Sequence, residues 1–91
     1  MEYESAITCI KVGQYETAAT YLLEQAFGIR RHKLGKRQMA TWLRRIETAL
    51  RSSHQQLRDI RKGMGYTQND IAQEAYQDVW HSLGFDEMSY E

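Results

Sequence analysis

Apolar residues recur along this chain at helical spacing, in runs that glycine interrupts. Tyr3, Ala6, Ile7 and Ile10 come every three or four residues and stop at Gly13, and Tyr15, Ala18, Ala19, Leu22, Leu23, Ala26 and Phe27 repeat the pattern as far as Gly28. Glycine just past the last periodic residue is the usual C-terminal stop, so these runs predict two short helices in a hairpin. Ile29–Leu34 offers little to bury and reads as an exposed basic connector. From Lys36 to Lys62 the apolar positions Met39, Leu43, Ile46, Leu50, Leu57, Ile60 and Met64, with Ser53 among them, alternate by four and three. That spacing predicts one unbroken helix of about 40 Å with a narrow seam facing a partner helix, from within the chain or from a second copy. Trp42 and Ala49 widen the seam on one flank, and Ser53 is expected to bond back to a carbonyl one turn earlier. A last helix is expected to begin at Thr67, which can cap it reciprocally with Asp70, with Tyr66 and Ile71 at the staple positions. Its stripe is Ile71, Ala75, Val79 and Leu83, broadened by Trp80, and Gly84 ends it.

The fold class that follows is all-α, a small helical bundle of about four helices: a short N-terminal hairpin, one long central helix and a C-terminal helix. With 91 residues there is room for one domain, expected over 1–84, with 85–91 as an acidic, loose tail. An apolar share of 42% is enough for one core, but a chain this small leaves much of itself exposed, so a partner subunit is a natural way to complete it. Cys9 is the single cysteine, which excludes an intrachain disulfide and the cysteine-rich kind of zinc site and points to a reducing compartment. The acidic start Met1–Glu4 does not read as a signal peptide, and no apolar run approaches the ~18 residues of a membrane span. The expected location is cytoplasmic, away from membranes.

Charge changes this picture. The formal net charge is zero, yet the signs are segregated. Only Lys11 offsets the acids of residues 1–29, and residues 63–91 hold acids and no Lys or Arg. Basic residues concentrate between Arg30 and Lys62, where only Glu47 and Asp59 oppose them. Arg37, Arg44, Arg51 and Arg58 recur every seven residues beside the seam, a column with steps of about 10 Å. Asp70, Glu74 and Asp78 form an acidic column on the last helix. One expectation is that the last helix folds back antiparallel and the two columns meet, setting register through exposed pairs worth roughly 0 to 1 kcal/mol each. The competing expectation is a phosphate-binding face in which Arg30, Arg31, Lys33 and Lys36 extend the column, with strong salt dependence and little sequence choice; the acidic flanks oppose it.

Two stretches invite comparison with known families. Leu57, Ile60, Arg61, Gly65, Tyr66, Thr67, Gln68, Ile71 and Ala72 together resemble the first half of the phage-repressor type of helix-turn-helix domain. The resemblance implies a DNA-reading helix farther on, but Tyr76 stands where that family has its turn glycine, and Gln77–Leu83 contains Asp78 and no Lys or Arg. Gly13, Tyr15 and Ala18 resemble the second helix of a tetratricopeptide repeat, a protein-binding module, although the next small residue is displaced to Ala26 and no second repeat follows. No binding residue carries over from either family.

Catalytic chemistry finds little support. His32, His54 and His81 lie in separate segments, Asp78 with His81 is half of a metal-ligand pair, and Cys9 has no neighbouring base. No phosphate loop or serine elbow occurs. No cofactor is expected. Tyr21, Tyr76 and Tyr90 lie off the main stripes and are free to serve an interface. The expected function is therefore non-enzymatic: a protein-protein interaction module, a small regulator, adaptor or inhibitor, dimeric through the long helix. Its candidate surface is Arg30, Arg31, Lys33, Lys36, Arg37, Arg44, Arg51 and Arg58 with Tyr21 and Tyr76; the alternative is nucleic-acid binding on the basic face of residues 30–62.

Overall fold

The computed structural model describes residues 2–28 and 34–85. Four helices follow one another: α1 (Glu2–Lys11), α2 (Tyr15–Phe27), α3 (Lys36–Ile60) and α4 (Gln68–Ser82), with no strand among the described residues. All four are where hydrophobic spacing puts them. The α1–α2 turn is a Schellman closure: the Gln14 amide donates to the Cys9 carbonyl at 2.8 Å and the Gly13 amide to that of Ile10 at 3.1 Å. Gly13 adopts φ 81°, a left-handed conformation that a side chain would strain. At the start of α3 the Gln38 side chain accepts the Gly35 amide. At the start of α4 the capping box is complete: Thr67 Oγ1 accepts from the Asp70 amide at 3.0 Å and Asp70 Oδ2 accepts from the Thr67 amide at 3.2 Å.

Each helix packs on two others, α1 on α2, α2 on α3, α3 on α4 and α4 back on α1. Aromatic contacts fix the directions. Tyr15 at the start of α2 meets His54 near the end of α3, and Phe27 at the end of α2 meets Trp42 near the start of α3, so the two helices run antiparallel. Similarly, α4 reverses along α3, with Glu74 beside Arg61 and Asp78 beside Ser53. Tyr3 of α1 packs edge-on to Tyr76 of α4 with ring centroids 4.9 Å apart. The core cluster draws on all four helices, with Ile10, Leu22, Leu23, Ile46, Leu50 and Val79 sealed from solvent.

α3 governs the shape because it is longer than anything laid against it. Its 25 residues span about 37 Å at 1.5 Å per residue, in a molecule 44 Å long. α2 has 13 residues, and its first, Tyr15, stands opposite His54. No helix of the N-terminal hairpin therefore follows α3 through its last turns. The expected seam accordingly splits. Ile46, Leu50 and Ser53 are buried and Met39, Leu43 and Leu57 half-buried, whereas Ile60, the last residue of the helix, is 60% exposed. Met64, expected on the seam, lies in the turn past it, where left-handed Gly63 ends the helix, and is 57% exposed.

Other expectations need correction. Tyr76, taken as a spare interface aromatic, is 4% exposed, because α1 covers a second side of α4 and brings Ala72 and Tyr76 into the core beside Ile71, Ala75 and Val79. Tyr66 is 44% exposed, so it does not bury itself as a staple; its ring instead lies 5.0 Å beneath the Arg61 guanidinium. Ser53 Oγ donates across to Asp78 Oδ2 at 2.8 Å, because α4 brings a carboxylate alongside and offers a better acceptor than a carbonyl already in the helix ladder. The expected tail starts one residue later than Phe85, which is buried against Phe27, Trp42 and Trp80; the rest of that tail, 86–91, lies outside the described residues.

This packing reverses two expectations, burying Phe85 of the expected tail and exposing Ile60 of the expected seam. Phe85→Ala should cost about 3–5 kcal/mol, the usual range for a lost core aromatic. Ile60→Ala should stay within about 0.5 kcal/mol, as surface changes do. Urea denaturation of the two variants in solution dilute enough for the chain to be monomeric checks both values.

Candidate functional site

The elbow between α3 and α4 gathers most of the features that internal packing does not account for. Residues 61–67 turn the chain through Gly63 and Gly65, both left-handed, and the Arg61 amide donates to the Leu57 carbonyl at 2.8 Å. Arg61 clamps the elbow. Its Nε and Nη2 each donate to one oxygen of Glu74, a two-pronged pair, while its guanidinium covers Tyr66. That hydrogen bonding, together with the Arg61 charge, holds the Glu74 carboxyl below its ordinary pKa and outweighs the opposing effect of burial. The same bonds raise Arg61, against partial desolvation.

Ile60, the last residue of α3, lies past the point where α2 covers the helix, and Met64 is exposed in the turn that follows. Leu57 and Ile60 form the apolar floor of a trough of about 330 Å³, with Glu74 and Asp78 on its α4 wall and Gln56 and Gln77 at its rim. Arg58 points away from this trough, since two residues on a helix are separated by about 200°. On that other side lies a larger groove of about 570 Å³, lined by His54, Arg58, Asp59, Lys62, Gln68 and Ile71.

His54 is the buried polar residue whose place sequence reasoning missed. It is 3% exposed, and its Nδ1 lies 2.7 Å from the Tyr15 hydroxyl. Either group can donate, depending on the imidazole tautomer. Burial, and secondarily the charge of Arg58, push the His54 pKa below its ordinary 6.5, so the ring is neutral at pH 7. The usable signal was positional: His54 is one residue past Ser53 and one turn past Leu50, on the edge of the buried stripe rather than on the solvent side.

The predicted arginine and acid columns do not pair with each other. Among the described residues, no ion pair joins Arg37, Arg44, Arg51 or Arg58 to Asp70, Glu74 or Asp78. Arg51 pairs with Glu47 on its own helix at 3.0 Å and lies over the Tyr15 ring; Glu74 is taken by Arg61, Asp78 by Ser53, and Asp70 by the helix cap. The reason is rotational. Arg58 faces the opposite groove from Glu74 and Asp78, and the cation that reaches α4 is Arg61, three residues on. Lys36, Arg37, Arg44 and Arg58 stay exposed, and Arg45 lies 4.6 Å over Trp42. Arg30, Arg31 and Lys33 lie outside the described residues. Tyr21 is half-buried against the core and borders a shallow hollow with Glu4, Thr8 and Cys9, remote from the elbow. The structure thus keeps much of the basic column on one face, but separates it from Tyr21 and buries Tyr76.

Among the described residues no group of three His, Cys, Asp or Glu side chains is placed to hold a metal ion. No described helix is long and apolar enough to cross a membrane. The helix-turn-helix resemblance ends where its sequence departs: α4 runs unbroken through Tyr76 to Ser82, so Gln77–Leu83 does not form a separate recognition helix. No protein-family model, no curated protein and no solved structure matches this chain.

The pH dependence of stability follows from His54, whose neighbours are Tyr15 of α2, Arg58, Asp59 and Lys62 from α3 and the elbow, and Gln68 and Ile71 of α4. With the folded pKa below the unfolded value of 6.5, the unfolded chain binds the extra proton. The stabilising contribution is therefore complete above pH 6.5 and is lost as the pH falls from there through the folded pKa. Urea midpoints measured down this range should decline in the parent protein. His54→Gln, which keeps an acceptor for Tyr15 but does not titrate, should decline less.

Proposed function

We propose that the protein is a non-enzymatic protein-protein interaction module, a small regulator, adaptor or inhibitor, and that the end of α3 joins it to a second copy of itself. The supporting observation is the uncovered continuation of the seam. Leu57 is half-buried, Ile60 and Met64 are more than half exposed, and Tyr66, also exposed, lies under Arg61. The last turn of α3, with Leu57 and Ile60 on its seam and Met64 in the elbow beyond, is matched by an identical end laid antiparallel, which covers both in one isologous contact. Leu57 and Ile60 then supply the dry centre, with Gln56, Gln77, Glu74 and Asp78 as a polar rim. The protein has no chemistry of its own in this reading; it presents a surface.

A second reading is nucleic-acid binding, favoured by one observation: Lys36, Arg37, Arg44 and Arg58 are exposed and make no ion pair with α4. A backbone contact of this kind would weaken steeply with salt. The acids of α4 lie on another side of α3 and so compete less than the sequence suggests, but Glu47 still occupies Arg51.

Light scattering over a dilution series tests the first reading. A concentration-dependent dimer is expected, and Ile60→Glu with Met64→Glu should weaken it at least ~100-fold by burying charge at the contact, with helix content unchanged. A monomer at every concentration removes the homodimer. The second reading is tested by heparin retention and a DNA shift at two salt concentrations: retention lost on changing Arg37, Arg44 and Arg58 to Glu supports it, and no binding at low salt ends it.

A further inference from the structure

The groove on the far side of α3 from Ile60 is not used by the proposed dimer. It holds two cations, Arg58 and Lys62, against one carboxylate, Asp59. Gln68, the first residue of the 15-residue α4, also lines it, so the positive end of that helix borders the same space. An apolar patch is supplied by Ile71. These features alone describe a basic hollow. The independent observation is His54.

His54 is 97% buried and lines the groove. Its Nδ1 is engaged by Tyr15, and Nε2 has no hydrogen-bond partner among the described residues. Nevertheless, no buried side-chain nitrogen or oxygen of the described residues lacks a partner, so Nε2 is not sealed in; it meets solvent, and the groove is its outlet. Pairing with Tyr15 uses only Nδ1; nothing in the core uses Nε2, although the ring carries the desolvation of burial and lies close to Arg58. A hydrogen-bonding nitrogen at the bottom of a basic groove, held in orientation by a tyrosine behind it, is suited to an oxyanion.

We propose that this groove binds a small phosphomonoester, with the phosphate oxygens accepting hydrogen bonds from Arg58, Lys62 and His54 Nε2–H, and the organic part resting toward Ile71. Tyr15 serves the site as a positioning residue. When it donates to Nδ1, the proton of the neutral ring is on Nε2, facing the anion; when the ring is protonated, Nδ1–H donates to the Tyr15 oxygen and Nε2–H still faces the anion. A bound phosphate offsets the repulsion from Arg58 and stabilises the imidazolium. The volume of about 570 Å³ exceeds what a bare phosphate fills and lies within the range of small-molecule sites.

The test is NMR of the histidine ring signals of the full chain, titrated with inorganic phosphate and with glycerol phosphate, each against chloride at equal ionic strength. The expected result is a saturable movement of the His54 signals but not those of His81, and a shift of the His54 titration midpoint to higher pH. Arg58→Gln and Lys62→Gln, both at exposed positions, should each weaken binding about tenfold, as expected for a lost charge-assisted contact. Glycerol phosphate should bind more tightly than inorganic phosphate. Absence of saturable movement overturns the site, as does equal movement in the doubly substituted chain, which would mark the anion as adventitious. Equal affinity for the two phosphates overturns the part of the proposal that assigns it a small organic ester. Ile60→Glu with Met64→Glu should leave the titration unchanged, so failure here and failure of the dimer are separable.

Discussion

The fit of α3 against two antiparallel helices of unequal reach decides most of what this molecule presents. α2 is aligned on α3 by an aromatic contact at each end, Phe27 with Trp42 and Tyr15 with His54. Between them Ile46 and Leu50 are wholly enclosed. α4 then lies along α3 from the opposite end, and the ring cluster of Phe27, Trp42, Trp80 and Phe85 closes the bundle where α2 and α4 both finish. Because α2 begins at Tyr15, opposite His54, the last turns of α3 keep α4 alongside but lose α2, and a groove lies on each side of them.

Polar contacts between the helices act on alignment more than on gross stability. A net contribution of about 1 kcal/mol is typical of one hydrogen bond, while leaving a buried group without its partner costs about 1–3 kcal/mol. Tyr15 with His54, and Ser53 with Asp78, are contacts of this kind. Sliding either helix by one turn would strand a buried hydroxyl or the imidazole without its partner, so each pair penalises the wrong register more than it rewards the right one. The two-pronged Arg61–Glu74 pair sets the elbow angle in the same way, at a more exposed site.

The elbow consequently divides the surface by chemistry. One side of α3 carries an apolar floor with an acidic wall, the other a basic hollow with a buried imidazole, and the remaining solvent face bears the arginine column. An apolar seam end is suited to another protein, a basic hollow to an anion, and a row of exposed arginines to an extended polyanion. The acids that would most directly cancel the arginines are occupied elsewhere, by a helix cap, by Ser53 and by Arg61.

Local information was enough for the elements. Four-three spacing, glycine stops and the Thr67–Asp70 box act within a few residues, and α1 to α4 follow them closely. The even alternation of the α3 seam also foretold that Ile46 and Leu50 would be central. What each face meets was beyond a periodic pattern, because burial depends on the length and rotation of the neighbour. Ile60 and Ile46 occupy equivalent seam positions, yet one is exposed and the other enclosed; Tyr76 looked spare until α1 covered it. The charge columns were legible as columns, but their meeting required a rotation of α3 about its axis that the packing of Leu50 and Leu57 does not permit. Sequence by itself determined the helices and their apolar stripes, since those arise from contacts between near neighbours in the chain; only the tertiary structure decided which ends of those stripes stay open and which histidine is enclosed, since that depends on surfaces distant in sequence.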